Sequence, residues 1–112
     1  MPMIDLVTNV SIPEEAKNGL ARGLGKVIEL IPGKNEGQLM LRLSGGNEMY
    51  FKGQNEAPMA YVRTDVSGKS DNENYQKFGE DAIRLISEIL SIPKGNIYLT
   101  VREIPCWVVR RE

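Results

Sequence analysis

The chain contains no histidine and a single cysteine, Cys106. The first absence removes Ser-His and Cys-His nucleophilic machinery and any histidine-ligated metal. It also removes the side chain that most often carries protons near neutrality. The lone cysteine excludes an internal disulfide and a cysteine-based zinc site, and no cofactor is expected. An excess of either charge is lacking too. Fourteen Lys and Arg against 15 Asp and Glu give a net charge of −1, so no basic face is on offer for phosphate contacts, and nucleic acid is not an expected partner. No run is long and apolar enough for a membrane span, and the N-terminus has neither a charged n-region nor an apolar h-region. The cytoplasm is the expected location. An enzyme built from this chain and doing acid–base chemistry needs another group that titrates near neutral pH.

What remains is an ordinary globular composition. The 112 residues are 41% hydrophobic and 26% charged, which suggests one domain over residues 1–112. A chain of this size buries a real but modest core, and oligomerisation would add to it.

Hydrophobic patterning gives the elements. Residues 3–8 read as a short buried strand. Ser11-Ile12-Pro13-Glu14-Glu15 reads as a helix start, with Ser11 as cap, Pro13 in the first turn and two acids at the positive end of the dipole. Ala16, Leu20, Leu24, Val27, Ile28 and Ile31 recur at helical spacing, and Pro32-Gly33 ends the run. Residues 38–43 alternate as a strand with Leu39, Leu41 and Leu43 on one face, and residues 48–51 suggest a short edge segment. The order then repeats: a strand over 58–66, a helix from Asp71 or Asn72 to about Leu90, and a strand over 97–101. Trp107-Val108-Val109 reads as a short last strand. The expected class is α+β: two βαβ units forming a four-stranded sheet with both helices on one face. The other face would be bare, and its apolar residues would be covered by another subunit.

Four motifs in register then suggest a family. They are Met1-Pro2-Met3 before the first strand, Ile31-Pro32-Gly33-Lys34 at the end of the first helix, Ser67-Gly68-Lys69 after the third strand, and Ile92-Pro93-Lys94-Gly95-Asn96-Ile97-Tyr98 before the fourth. The chain resembles the tautomerase superfamily, in its macrophage migration inhibitory factor branch. The resemblance implies a homotrimer with active sites between subunits, centred on an N-terminal proline that removal of Met1 exposes. It implies keto–enol tautomerisation of phenylpyruvate-like 2-oxo acids and dopachrome esters. Animal members are also secreted and cytokine-like, so export without a signal peptide and a receptor partner come with the family.

Residue by residue, the resemblance assigns roles beside plainer readings. Pro2 is either an incidental residue of the terminus or, with Met1 gone, a secondary amine. The reference pKa of an α-amino group, about 7.7–8.0, falls on burial. Such an amine is a general base suited to neutral pH, and it answers the missing histidine. Lys34 is either a cation at a helix C-terminus or the ligand of the substrate carboxylate. Ser67 is either part of a simple Ser-Gly turn or a pocket residue standing where the family has isoleucine, its backbone amide keeping the family contact without the apolar wall. Tyr98 and Thr100 share a strand face. Tyr98 matches a tyrosine that the neighbouring subunit supplies, and Thr100 matches a substrate-binding asparagine. Met3 lines the pocket mouth or belongs to the core. Gln38 replaces a pocket tyrosine, Trp107 walls the site or packs a subunit contact, and Asp65 is a solvated or paired carboxylate before it is a second acid near the site. Met59-Ala60-Tyr61-Val62 stands where some members carry Cys-x-x-Cys, so thiol-oxidoreductase chemistry is not supported. Arg42, Arg63 and Arg102 are either ion-paired strand residues or substrate clamps of the kind that decarboxylating and dehalogenating branches use on small acids. A third reading is a cytokine-like binding protein with vestigial catalysis.

Overall fold

The computed structural model describes residues 1–110. Strand β1 (Pro2–Thr8) alternates strictly, burying Pro2, Ile4, Leu6 and Thr8 and leaving Met3, Asp5 and Val7 on the other face. Helix α1 (Glu14–Val27) follows, tightening into a 3₁₀ turn over Ile28–Leu30. Strand β2 (Met40–Ser44) then lies parallel to β1. Strand β3 (Ala60–Val66) runs antiparallel to β1 on its other side. Helix α2 (Asn72–Leu90) crosses over to strand β4 (Ile97–Glu103), which pairs parallel with β3. The sheet order is β2-β1-β3-β4. Two βαβ units therefore meet along the antiparallel β1–β3 pair, the α+β arrangement that the patterning predicts.

Both helices cover one sheet face. Leu20, Leu24 and Ile28 from the first half and Phe78, Ala82 and Ile86 from the second meet Ile4, Leu6, Val62 and Val66 of the central strands. Each is fully buried, and burying a Val, Leu, Ile or Phe side chain is worth about 1.5–3 kcal/mol. The interior polar atoms are mostly paired. Thr8 Oγ1 donates to the Met59 carbonyl at 2.6 Å, and Asn9 clasps the same segment by donating to the Ala57 carbonyl and accepting from Met59 N.

Several boundaries differ from expectation. Ser11 does not cap α1; Pro13 takes the cap position with extended ψ, no side-chain cap forms, and Lys17 N bonds directly to the Pro13 carbonyl at 3.0 Å. Proline's fixed φ already sets the entry to the helix there. Glu36–Gln38 folds as a 3₁₀ turn, so the second strand starts at Met40. The segment at 48–51 contributes a single bridge, Phe51 to Gln54. Trp107-Val108-Val109 is not a strand. Past β4, Ile104 N bonds to the Val66 carbonyl at 2.8 Å, and Pro105, which has no N–H to give, ends the ladder.

The open face of the sheet is also unlike the bare apolar surface expected. Its middle is charged. Asp5 lies between Arg42 and Arg63, and Arg102 Nε lies 3.4 Å from Asp65 Oδ1. Exposed apolar groups sit toward its two ends, Met40 at one and Tyr61 and Tyr98 at the other.

Candidate active site

Three stretches distant in sequence converge beside the N-terminus. Strand β1 begins at Pro2, just after Met1, and runs alongside the end of β3, with Pro2 opposite Val66. Ser67 follows Val66 directly, and the chain turns away at Gly68, whose φ of +77° suits a residue without a Cβ. From the far side comes the turn after the Ile28–Leu30 segment. Gly33 adopts φ +84°, and Lys34 N bonds back to the Ile31 carbonyl at 3.0 Å. That turn aims Lys34 at Ser67 rather than along its own helix axis.

The polar contacts all meet on Ser67. Lys34 Nζ donates to the Ser67 carbonyl at 2.8 Å and lies 3.3 Å from its Oγ. The Met1 amine donates to the same Oγ at 3.0 Å, and Ser67 N donates to the Met1 carbonyl at 3.0 Å. Burial holds the terminal amine below its ordinary pKa, and the charge of Lys34 and its hydrogen bonding lower it further. With Met1 in place the Pro2 nitrogen is an amide and carries no basic lone pair.

Next to this cluster opens a cavity of about 650 Å³, lined by Met1, Pro2, Met3, Gln38, Met40, Asp65 and Trp107 together with Gly37, Val108 and Val109. Its walls are largely apolar. That is the composition expected of a pocket for a small organic molecule. Pro2, Met3, Lys34 and Ser67 thus lie at one end of the sheet. The residues from 107 to 109 that were expected to pair as a strand serve instead as one wall.

Tyr98 and Thr100 lie elsewhere. Tyr98 pairs with Tyr61, which pairs with Val7, so it stands five residues along from Pro2, roughly 17 Å at 3.3 Å per residue. There it packs edge-on against Phe51, ring centroids 5.5 Å apart. Thr100 Oγ1 lies 3.3 Å from the Tyr61 hydroxyl. Within one chain neither reaches the cavity. Arg42, Arg63 and Arg102 are all engaged with carboxylates on the open face.

Sequence reasoning missed Met40 and the Val108–Val109 wall. The signal for Met40 was the parallel register, which sets it beside Met3; a pairing register is not visible in a single strand's pattern. Among the described residues, no three His, Cys, Asp or Glu side chains gather to hold a metal ion.

The model of the macrophage migration inhibitory factor family matches residues 1–112. No curated protein matches the chain. Among solved structures, a macrophage migration inhibitory factor homologue from Prochlorococcus marinus shares 30% identity and superposes with a TM-score of 0.82, over 92% of this chain and 89% of that one. MIF2 of Leishmania major shares 24% identity with a TM-score of 0.85, over 93% and 89%. A member of the cis-3-chloroacrylic acid dehalogenase family shares only 13% identity yet reaches a TM-score of 0.81, over 92% and 75%. The last two likenesses concern the fold alone.

Proposed function

Because the chain belongs to the macrophage migration inhibitory factor family, we propose that, once Met1 is removed, it is a keto–enol tautomerase of 2-oxo acids that uses the Pro2 amine as general base. The observation that carries this reading is the setting of the terminal amine. With Met1 present that amine is Met1's: it is desolvated, it stands beside the Lys34 ammonium, and both lower its pKa, while Pro2, one residue on, is itself buried and lines the cavity. An amine with those neighbours is neutral nearer to working pH, where a general base is most effective.

The steps follow from the chemistry of the groups. Lys34 draws the substrate carboxylate, a compact cation meeting an anion. The neutral Pro2 nitrogen takes a proton from the carbon next to the carbonyl. The enolate that forms is stabilised by the charge of Lys34, and the Ser67 N–H, which removal of the Met1 carbonyl frees, is left to the carboxylate. The prolinium then returns the proton at the other site of the enolate. Proline suits the post because its ring leaves the nitrogen little freedom.

Tyr98 and Thr100 join this site only if a second copy brings them. The reading therefore includes a homotrimer with its active sites between subunits. The exposed Met40, Val108 and Val109 at one end of the sheet and Tyr61 and Tyr98 at the other are the apolar surfaces such an assembly would cover. A decarboxylase or dehalogenase reading that clamps small acids with arginine has less support, since Arg42 and Arg63 both engage Asp5.

The test is phenylpyruvate tautomerisation by protein shown by mass to lack Met1, beside Pro2→Gly. A rate that collapses in the variant is expected. Equal rates in the two proteins, or none above buffer in the processed wild type, would overturn the reading.

A further inference from the structure

Ser67 does more here than lend its backbone. Its carbonyl and hydroxyl oxygen both accept from the Lys34 ammonium, so Ser67 holds that cation in place before any ligand arrives. An ammonium has three N–H donors, and one remains for an incoming anion. The Met1 main chain fills the rest of the spot. Its carbonyl takes the Ser67 N–H, and its amine donates to Ser67 Oγ. An oxygen acceptor is thus already accommodated there, as a peptide carbonyl. Removing Met1 vacates it and releases the Ser67 N–H and hydroxyl together. Both contacts to Oγ use the oxygen as acceptor. The single O–H of Ser67 stands outside them, on a rotor that can swing to a ligand.

We propose that the Ser67 hydroxyl is a specificity-determining group: it donates to one carboxylate oxygen of the ligand, beside the Lys34 ammonium and the Ser67 N–H, and so favours free acids over their esters. This rests on the tautomerase reading of the same site. Three donors on one side of a small anion satisfy both of its oxygens. An ester presents neither the charge nor the second anionic acceptor, and its alkyl group would face Ser67 Oγ. An apolar side chain at position 67 would leave Lys34 and one amide, and would be more tolerant of the ester. A hydrogen bond from a hydroxyl to an anion is among the stronger kinds.

The experiment titrates processed protein with 3-phenylpropanoate and with its methyl ester, neither of which has a keto group to turn over. The signal is the fluorescence of Trp107, the single tryptophan, which lines the cavity. Ser67→Ala is expected to weaken the carboxylate about tenfold and the ester less than about twofold. Ser67→Thr, which keeps the hydroxyl, is expected to stay close to wild type for both. Equal losses for the two ligands in Ser67→Ala, an unchanged carboxylate affinity, or no carboxylate binding by the wild type would each overturn the inference. If the affinities behave as expected while Pro2→Gly turns over phenylpyruvate as fast as wild type, the base assignment falls and the role of Ser67 stands.

Discussion

Arg42 grips Asp5 with two parallel hydrogen bonds, Nε to Oδ1 at 2.8 Å and Nη2 to Oδ2 at 2.9 Å. The two residues are register partners across β1 and β2. Arg63, the partner of Asp5 on β3, approaches the same carboxylate at 3.8 Å. One acid thus separates two cations in the middle of the open sheet face, and its side chain is only 13% exposed. Asp5→Asn should lower the thermal midpoint by a few degrees and more than Arg42→Met does. The first change leaves two guanidinium groups facing each other, and the second removes one of them. Added salt should narrow the gap. Equal midpoints in the two variants would refute this account. Arg42→Met and Arg63→Met should leave phenylpyruvate turnover unchanged. A loss of turnover in either, with the fold intact, would bring the arginine-based chemistry forward.

A second pair sits at the end of β4. The Tyr75 hydroxyl donates to Glu103 Oε2 at 2.6 Å. Burial, aided by the hydrogen bond and the charge of Glu103, pushes Tyr75 up to about 12. The same bond is the main reason that Glu103 lies below its ordinary value. An unfolded tyrosine ionises near 10, while the folded one keeps its proton up to about 12. Between those values the unfolded state loses its proton first, so stability falls as pH rises through the window. Tyr75→Phe should abolish the phenolate absorbance step near 12 and flatten the stability profile between about 10 and 12. An unchanged absorbance titration in the variant would rule the assignment out.

Gly45 marks a close approach of two chain segments. A Cβ built there would lie 2.9 Å from the Val10 carbonyl oxygen and 3.1 Å from Ile12 N, both backbone atoms that cannot swing aside. The next residue uses the same contact, Gly46 N bonding to the Val10 carbonyl at 3.0 Å. Gly45→Ala should therefore cost about 1–3 kcal/mol, the usual penalty for forcing extra volume into a packed place. Urea unfolding measures it; a midpoint equal to that of the wild type would show that the turn gives way.

How much of this was legible beforehand depends on the range of the interaction. The strands and helices were readable because their periods are local. Leu20, Leu24 and Ile28 advertise one helix face, and the alternation about Leu41 and Leu43 advertises a strand. Pro2, Lys34 and Ser67 were named through a family resemblance, and the fold brings them together. Their mutual contacts could not be read, because whether Lys34 turns to Ser67 depends on a left-handed Gly33 and on a crossover of some thirty residues between them. The open face was misjudged for a similar reason. Arg42, Asp5 and Arg63 look like three separate surface charges until the register sets them side by side. Trp107-Val109 has strand-forming residues, but a strand also needs an edge to pair with, and within this chain the segment lies along the cavity.

Lys34 should affect the pH dependence of catalysis as well as substrate affinity. Burial is the larger cause of the lowered terminal amine, and the Lys34 charge and its hydrogen bond add to it. A cation a few ångström away opposes the arrival of a second positive charge, so the amine stays neutral to lower pH than burial alone would allow. Under the proposed mechanism the Pro2 nitrogen of the processed protein takes over this setting, and the expected shift depends on its doing so. Lys34→Met removes the opposing charge, the amine pKa rises, and the neutral base persists only at higher pH. The acid limb of kcat/KM against pH should accordingly move upward, though not to the value of a free α-amine, because burial remains. This shift is separable from the loss of carboxylate affinity, which lowers kcat/KM at every pH without moving the limb. Measuring the profile with an acid and with its ester divides the two effects: the limb should move equally with both substrates, whereas the uniform loss should be larger with the acid, which loses its carboxylate ligand as well as the charge that stabilises the enolate. A limb that stays put with both would leave Lys34 a ligand of the substrate only, and would assign the tuning of the base to burial.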